Sequence, residues 1–208
     1  MAALIQPPTP YWPAWTVWSM AQLTVLALLA ARVPLAARMP SPVEQYAGCA
    51  VAATALIVAA LSGRALFSTP VAAVRTMATA LPLTTLAALA AGCTPALALA
   101  GGTIVVAWLG AFSAVFQGRF GRSPTLQSAV LAACVVVPAV FYLSREFGPV
   151  TRPASTVWTL FSPVLGTCPI LPHLPPAWPL FGVQLVVPVV IALCPLAIAL
   201  RRRKINTK

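Results

Sequence analysis

The sequence predicts an all-α fold, a polytopic transmembrane helical bundle of about six spans in which residues 1–208 form a single domain. Of the 208 residues, 60% are hydrophobic and 7% are charged, whereas about a quarter of the residues in an average soluble domain are charged. Apolar runs close to the length of about 20 residues that crosses a bilayer recur along the chain. These runs are expected to be helical, because every backbone amide in hydrocarbon needs a partner within its own segment.

The predicted spans are the apolar runs that lie between charged, proline and glycine residues. They are placed near 14–36, 45–62, 71–92, 96–117, 125–143 and 180–200. The first begins in an aromatic cluster that includes Trp12 and Trp15, as helices anchored at headgroup level do. The second is expected to end at Gly63 and Arg64.

Glycine and proline also predict how the later spans connect and bend. Only Gly92 to Pro95 separates the third span from the fourth, which predicts a tight antiparallel hairpin. Pro138 lies in the fifth span, and Pro188 and Pro195 lie in the sixth. Each is expected to bend its helix, because proline lacks the amide donor of the helical hydrogen bond.

The segment between the last two spans, residues 144–179, is predicted to be an outer loop. Its moderately apolar stretch STVWTLFSPVLGTC is too short to cross a bilayer and is expected to form a re-entrant or interfacial helix. The proline-rich remainder, PILPHLPPAWP, is expected to run extended along the outer surface. The alternative is a crossing by residues 155–170, which would make the number of spans odd.

The distribution of Lys and Arg predicts the orientation. With six spans, nine of the 13 basic residues fall on the side of the two termini and four fall on the other side. The positive-inside rule then places both termini in the cytoplasm of an integral, multi-pass protein, here expected in a bacterial inner membrane. The basic cluster after the last span is expected to anchor the chain at anionic lipid, and it comprises Arg201, Arg202, Arg203 and Lys204. Nucleic-acid binding is not expected, because no aromatic residues interleave with the basic ones.

Side chains that could carry chemistry are scarce. The sequence holds two acidic residues and one histidine, and it has no HExxH, GxGxxG, P-loop or GxSxG motif. We therefore expect no catalytic residues, no metal or cofactor site and no enzymatic activity. Among the five cysteines, Cys93 and Cys168 fall on the same non-cytoplasmic side of the predicted topology, where a disulfide is able to persist.

Three segments give the layout a resemblance to a known family. GRALFSTPVAAVRT follows the second span, FSAVFQGRFGRSPTLQSAVL covers 112–131, and FSPVLG covers 161–166. Together with six spans and a last helix that runs into RRRK, they resemble the membrane subunits of type-2 ABC exporters. In that family a short helix between the second and third spans docks onto the ATPase partner. The resemblance implies this role for Arg64, Ser68, Thr69, Pro70 and Arg75.

Two functions follow as hypotheses. The first is a permease-like subunit that pairs with itself or a homologue and with a separate cytoplasmic ATPase, and that moves a hydrophobic or amphipathic substrate outward. The alternative is a non-catalytic structural subunit of a larger respiratory, photosynthetic or other energy-converting membrane complex, which the scarcity of titratable groups also suits. Both hypotheses require the lipid bilayer and other membrane subunits as partners.

Overall fold

The computed structural model describes residues 11–30, 47–118, 123–147, 162–164 and 182–193. Within these ranges 92% of the residues are helical and none forms a strand, so the predicted all-α bundle is confirmed. The helices are α1 (Tyr11–Ala30), α2 (Ala47–Leu66), α3 (Pro70–Ala90), α4 (Pro95–Gln117), α5 (Pro124–Phe147) and α6 (Gly182–Leu193). Each overlaps one of the predicted spans.

Three of the helices in the described ranges are long and apolar enough to cross a membrane, namely α2, α3 and α4. Their crossing segments are Cys49–Leu66, Pro70–Ala90 and Pro95–Gln117. The chain is therefore a membrane protein with transmembrane helices. Crossings by the other three predicted spans stay predictions, and the predicted residues 31–36 and 194–200 lie outside the described part of the chain.

Successive helices run in opposite directions and bring one set of ends together. At the start of α1, the Trp12 ring lies 5.7 Å from the Arg75 guanidinium near the start of α3. Phe67, directly after α2, stacks on Phe116 at the end of α4 with ring centroids 6.2 Å apart. Gln127 at the start of α5 donates a hydrogen bond of 2.8 Å to a carbonyl oxygen of α2. We call this end of the bundle, which holds Arg64 and Arg75, the basic end.

The core is built around small residues of α2. Ala52, Ala55 and Ala59 are buried, and Gly63 continues the same face of the helix. Such spacing lets helix backbones approach closely in a membrane, where packing and hydrogen bonds drive association. Because α1 and α2 lie close together here, Nε1 of the Trp18 indole donates a 2.9 Å hydrogen bond to the Ala55 carbonyl oxygen.

The predicted hairpin between the third and fourth spans is confirmed. Gly92 has a φ of 85°, a left-handed conformation that favours glycine. The Cys93 amide then donates to the Ala88 carbonyl oxygen at 3.0 Å, which closes the end of α3. Thr94 caps α4 and Pro95 takes its first position. The two helices pack against each other along their length, with Gly102 of α4 against Leu81 and Thr85 of α3.

Two helices continue past the predicted ends of their spans. We expected the second span to end at Gly63 and Arg64, but α2 continues to Leu66. We also assigned Ser144 to Glu146 to the outer loop, whereas α5 continues to Phe147. Charged side chains do not have to end a membrane helix, because their long stems let the charged group reach the polar layer while the backbone stays helical.

The prolines predicted inside helices are present at Pro138 in α5 and Pro188 in α6. Pro195 lies outside the described residues. Pro82 inside α3 is a further helix-interior proline that we did not predict to bend a span. It lies on the exposed side of α3, where its ring does not intrude between helices.

Candidate functional site

A candidate site in the described part of the chain is an open apolar cavity of about 260 Å³ between α4, α5 and α6. On α4 it begins at Trp108 and ends at Val115. Seven residues of helix correspond to about 10 Å along the axis. The lining side chains are Trp108, Ala111, Phe112, Val115, Ala129, Val130, Ala133, Pro163, Val187 and Ile191. None of them is charged, so the cavity is built for a hydrocarbon group.

One hydrogen bond fixes the single polar group of the wall. The Nε1 atom of Trp108 donates to Oε1 of Gln184 at 3.4 Å, and both residues are buried. This contact joins α4 to α6, because the two residues lie 76 positions apart in the sequence. With its indole N–H used in this way, Trp108 presents mainly an aromatic surface to the cavity. The wall therefore gives an occupant little to recognise besides shape and apolar contact.

The cavity reaches the surface of the bundle. Ala129 is exposed, and Val115, Val130 and Val187 are half-buried. The neighbouring outer faces of α5 and α6 carry exposed valines, including Val136 and Val186. If α5 and α6 cross the bilayer as predicted, these faces contact lipid tails and the opening connects the cavity to the hydrocarbon layer.

The cavity lies toward the basic end of the bundle. Val115 is close to the last residue of α4, Gln117, and Ala129 lies in the first turns of α5 after Pro124. Both of these helix ends belong to the basic end. An occupant of the cavity therefore lies in the half of the bundle that also carries Arg64 and Arg75.

A short piece of the predicted outer loop contributes to the wall. Ser162, Pro163 and Val164 are all buried, and Pro163 lines the cavity beside α4. Val164 belongs to the main hydrophobic core. This burial shows that residues 162–164 pack into the bundle, and the choice between the predicted re-entrant and interfacial arrangements stays open. Apart from residues 144–147 and 162–164, the predicted loop lies outside the described residues, so the alternative of a crossing by residues 155–170 stays open.

The predicted docking residues all lie at the basic end. Arg64 is exposed in the last turn of α2, and Arg75 is half-buried near the start of α3. Ser68 and Thr69 lie between these helices, so the connection is a three-residue turn and contains no separate short helix. The predicted helix start at Pro70 is confirmed, and it is the start of α3 itself. Whether these residues dock a partner stays a prediction.

Thr69 fixes the direction in which α3 leaves this turn. Its backbone is extended, with φ −139° and ψ 158°, and its Oγ1 accepts a hydrogen bond of 3.1 Å from the Ala72 amide. This is the geometry of a helix N-cap, which satisfies one of the amides that have no partner in the first turn. The cap orients the first turns of α3, on which Arg75 lies.

Replacing Thr69 with alanine is expected to lower the free energy of unfolding by about 1 kcal/mol, the usual value for a lost N-cap side chain. Thr94, the N-cap of α4, provides a matched control, because its bond to the Leu97 amide is longer, at 3.4 Å, and more exposed. Thermal unfolding in detergent, followed by circular dichroism, should show a larger loss for T69A than for T94A, and T69S should recover most of it. Equal losses in T69A and T94A would contradict the role assigned to the Thr69 cap.

Arg75 is held by an aromatic ring of the first helix. Its guanidinium lies 5.7 Å from the centre of the Trp12 ring, within the range of a cation–π contact. Trp12 also contacts Tyr11 and Trp15 edge to face, with ring centroids 5.5 and 6.1 Å away. The aromatic cluster predicted as a membrane anchor therefore has a second role, because it ties the start of α1 to the start of α3.

The other predicted site residues are only partly described. Cys93 is buried in the turn between α3 and α4, and its burial raises the pKa of the thiol. Cys168 lies outside the described residues, so the predicted disulfide stays a prediction. The basic cluster Arg201 to Lys204 also lies outside them. In the described part of the chain, no three His, Cys, Asp or Glu residues cluster as a metal site.

Sequence reasoning missed the cavity but indicated one of its contacts. Polar residues within membrane helices often join one helix to another through hydrogen bonds. Gln184 and Gln127 do so, whereas Gln22, Thr84 and Gln117 bond within their own helices. The lining residues themselves are ordinary apolar residues of three helices, and no local pattern distinguishes them from core residues.

Comparison of the chain with protein-family models, with curated proteins and with solved structures finds no match.

Proposed function

We propose that this chain is a permease-like membrane subunit that binds a hydrophobic or amphipathic substrate in the cavity between α4, α5 and α6. The observation that carries the proposal is the cavity itself, which is apolar, open toward lipid and closed on one side by Pro163. Its volume of about 260 Å³ is well above that of an engineered apolar cavity of about 150 Å³ that already binds benzene.

Energy would come from a separate ATP-hydrolysing chain that contacts the basic end. Arg64 is exposed there, and the stacked rings of Phe67 and Phe116 connect the turn after α2 to the end of α4. The same helix, α4, forms one wall of the cavity. A movement imposed on the turn is therefore transmitted along a packed helix to the substrate site. On this proposal the basic end faces the cytoplasm, in agreement with the excess of Lys and Arg on the side of the termini.

Purification in mild detergent tests the proposal directly. The proteins that remain bound to the chain are identified by mass spectrometry. A stoichiometric ATP-binding protein is the expected result. Cytochromes, pigments or many subunits in its place would overturn the permease proposal and favour the structural subunit of an energy-converting complex.

Charge reversal locates the contact. Changing Arg64 and Arg75 to Glu is expected to abolish association of the ATPase, whereas R64E alone should weaken it without disturbing the contact between Arg75 and Trp12. R145E is the matched control, because Arg145 lies near the last residue of α5, at the end of the bundle opposite Arg64. Co-purification is measured for each variant. Wild-type association of the R64E/R75E variant would remove the proposed docking role.

A further inference from the structure

We propose that the cavity between α4, α5 and α6 binds one acyl chain of a phospholipid from the leaflet at the basic end. This inference deepens the proposed function by naming the class of molecule bound. It rests on the proposed function only for the transport of that molecule. Binding of the acyl chain is a property separate from transport, and it has its own experiment. Three features of the site support it.

The first feature is the chemistry of the wall. Every lining side chain is aliphatic or aromatic apart from the indole N–H of Trp108, which is bonded to Gln184. A headgroup with charges or hydrogen-bonding groups would lose its hydration there without gaining partners. Only the hydrocarbon part of an amphiphile can therefore occupy the cavity, and its headgroup must remain outside.

The second feature is shape. The cavity extends about 10 Å along the helix axes, as judged from the rise of α4 between Trp108 and Val115. Small side chains, Ala111 on α4 and Ala129 and Ala133 on α5, leave the space between the helices. Trp108 and Phe112 form its aromatic wall, with ring centroids 6.3 Å apart. An elongated slot of this kind fits a linear chain.

The third feature is access and charge. The cavity opens where Ala129 is exposed, beside exposed valines of α5 and α6. With α5 and α6 crossing the bilayer as predicted, acyl chains border this opening, so a phospholipid chain can enter from the side. The same end of the bundle carries Arg64 and Arg75, and its positive charge favours anionic lipids in the surrounding leaflet.

Filling the slot tests the inference. Ala133 lines the cavity, whereas Ala132, the preceding residue of α5, is exposed and does not line it. In A133L the leucine side chain is expected to fill the space that the acyl chain would occupy. A132L places the same side chain on the outer face of α5. Both variants are made in the full-length polypeptide. A129L provides a second cavity-filling change if A133L fails to fold.

The measurement is native mass spectrometry of the protein purified from membranes and after addition of phosphatidylglycerol or phosphatidylethanolamine. The wild-type protein and A132L are expected to retain one phospholipid per chain, with phosphatidylglycerol preferred, and A133L or A129L should lose at least nine-tenths of it. Equal retention in the cavity-filling variants and A132L would overturn the assignment, as would a bound amphiphile that is not a phospholipid. Loss of lipid in A133L with normal ATPase association would support the site independently of the coupling proposal. Retained lipid without any ATPase would leave the binding site standing and refute the proposed function.

Discussion

Replacing Gly102 with alanine is expected to lower the free energy of unfolding by about 1 to 3 kcal/mol, the usual cost of inserting atoms into a filled core. A β-carbon at this position would lie 2.6 Å from Oγ1 of Thr85, 3.0 Å from Cδ1 of Leu81 and 3.3 Å from the Leu81 carbonyl oxygen. The Thr85 and Leu81 side chains would have to move, and the Leu81 carbonyl oxygen belongs to the backbone of α3, so α3 would also have to shift by a few tenths of an ångström. Unfolding in detergent, measured by circular dichroism, reports the loss.

Gly110 provides the control on the same helix. A β-carbon there would meet only the Met77 sulfur at 3.7 Å, which is an ordinary contact. G110A should therefore keep or slightly raise stability, because alanine favours a helix over glycine by about 1 kcal/mol. In the G102A background, T85A is expected to recover part of the loss, because it removes the nearest side-chain atom. Equal stability of G102A and G110A would contradict the close approach of α3 and α4 at Gly102.

Replacing Gly63 with alanine is the second change expected to have a large effect. A β-carbon at Gly63 would overlap the ring of Phe116. That ring is itself buried and stacked on Phe67, with an interplanar angle of 14°, so it cannot move aside without losing this contact. We expect G63A to lower the free energy of unfolding by about 1 to 3 kcal/mol. Its effect should extend to ATPase association, because the stack lies beside the turn that carries Ser68 and Thr69.

A double-mutant cycle isolates this contact. F116L alone is expected to destabilise the protein, because it removes buried aromatic volume. In the double variant G63A/F116L the new methyl group occupies space that the smaller side chain leaves, so the combined loss should fall short of the sum by about 0.5 to 3 kcal/mol. Unfolding midpoints of the four proteins give the coupling energy. Strictly additive losses would contradict direct contact between Gly63 and Phe116.

Much of the fold could be predicted, because membrane helices are specified by length and hydrophobicity. The hairpin between α3 and α4 followed from four residues, in which Gly92 supplies the left-handed turn and Pro95 starts the next helix. Helix ends at charged residues were predicted less well. Arg64 remains within α2, because an arginine at a membrane boundary does not have to interrupt the backbone hydrogen bonds.

The candidate site could not be predicted in the same way. Its wall combines residues from α4, α5, α6 and the buried Pro163, and a cavity between four segments depends on how their side chains pack. Ala133 and Ala132 are neighbours of the same type, yet only Ala133 lines the cavity. The sequence does contain Gln184 as a polar residue in an apolar run, and this signal correctly indicated a contact between helices.

The hydrogen bond from Trp18 to the Ala55 carbonyl oxygen bears on how the protein is made. The two residues are 37 positions apart, so the acceptor for the Trp18 indole leaves the ribosome well after α1. Until then α1 must hold an unpaired indole N–H at the membrane, where unpaired polar groups are costly. Stable integration of α1 is thus expected to wait for the synthesis of α2, and a truncated chain that stops before residue 47 should be extracted from membranes more easily than one that includes α2.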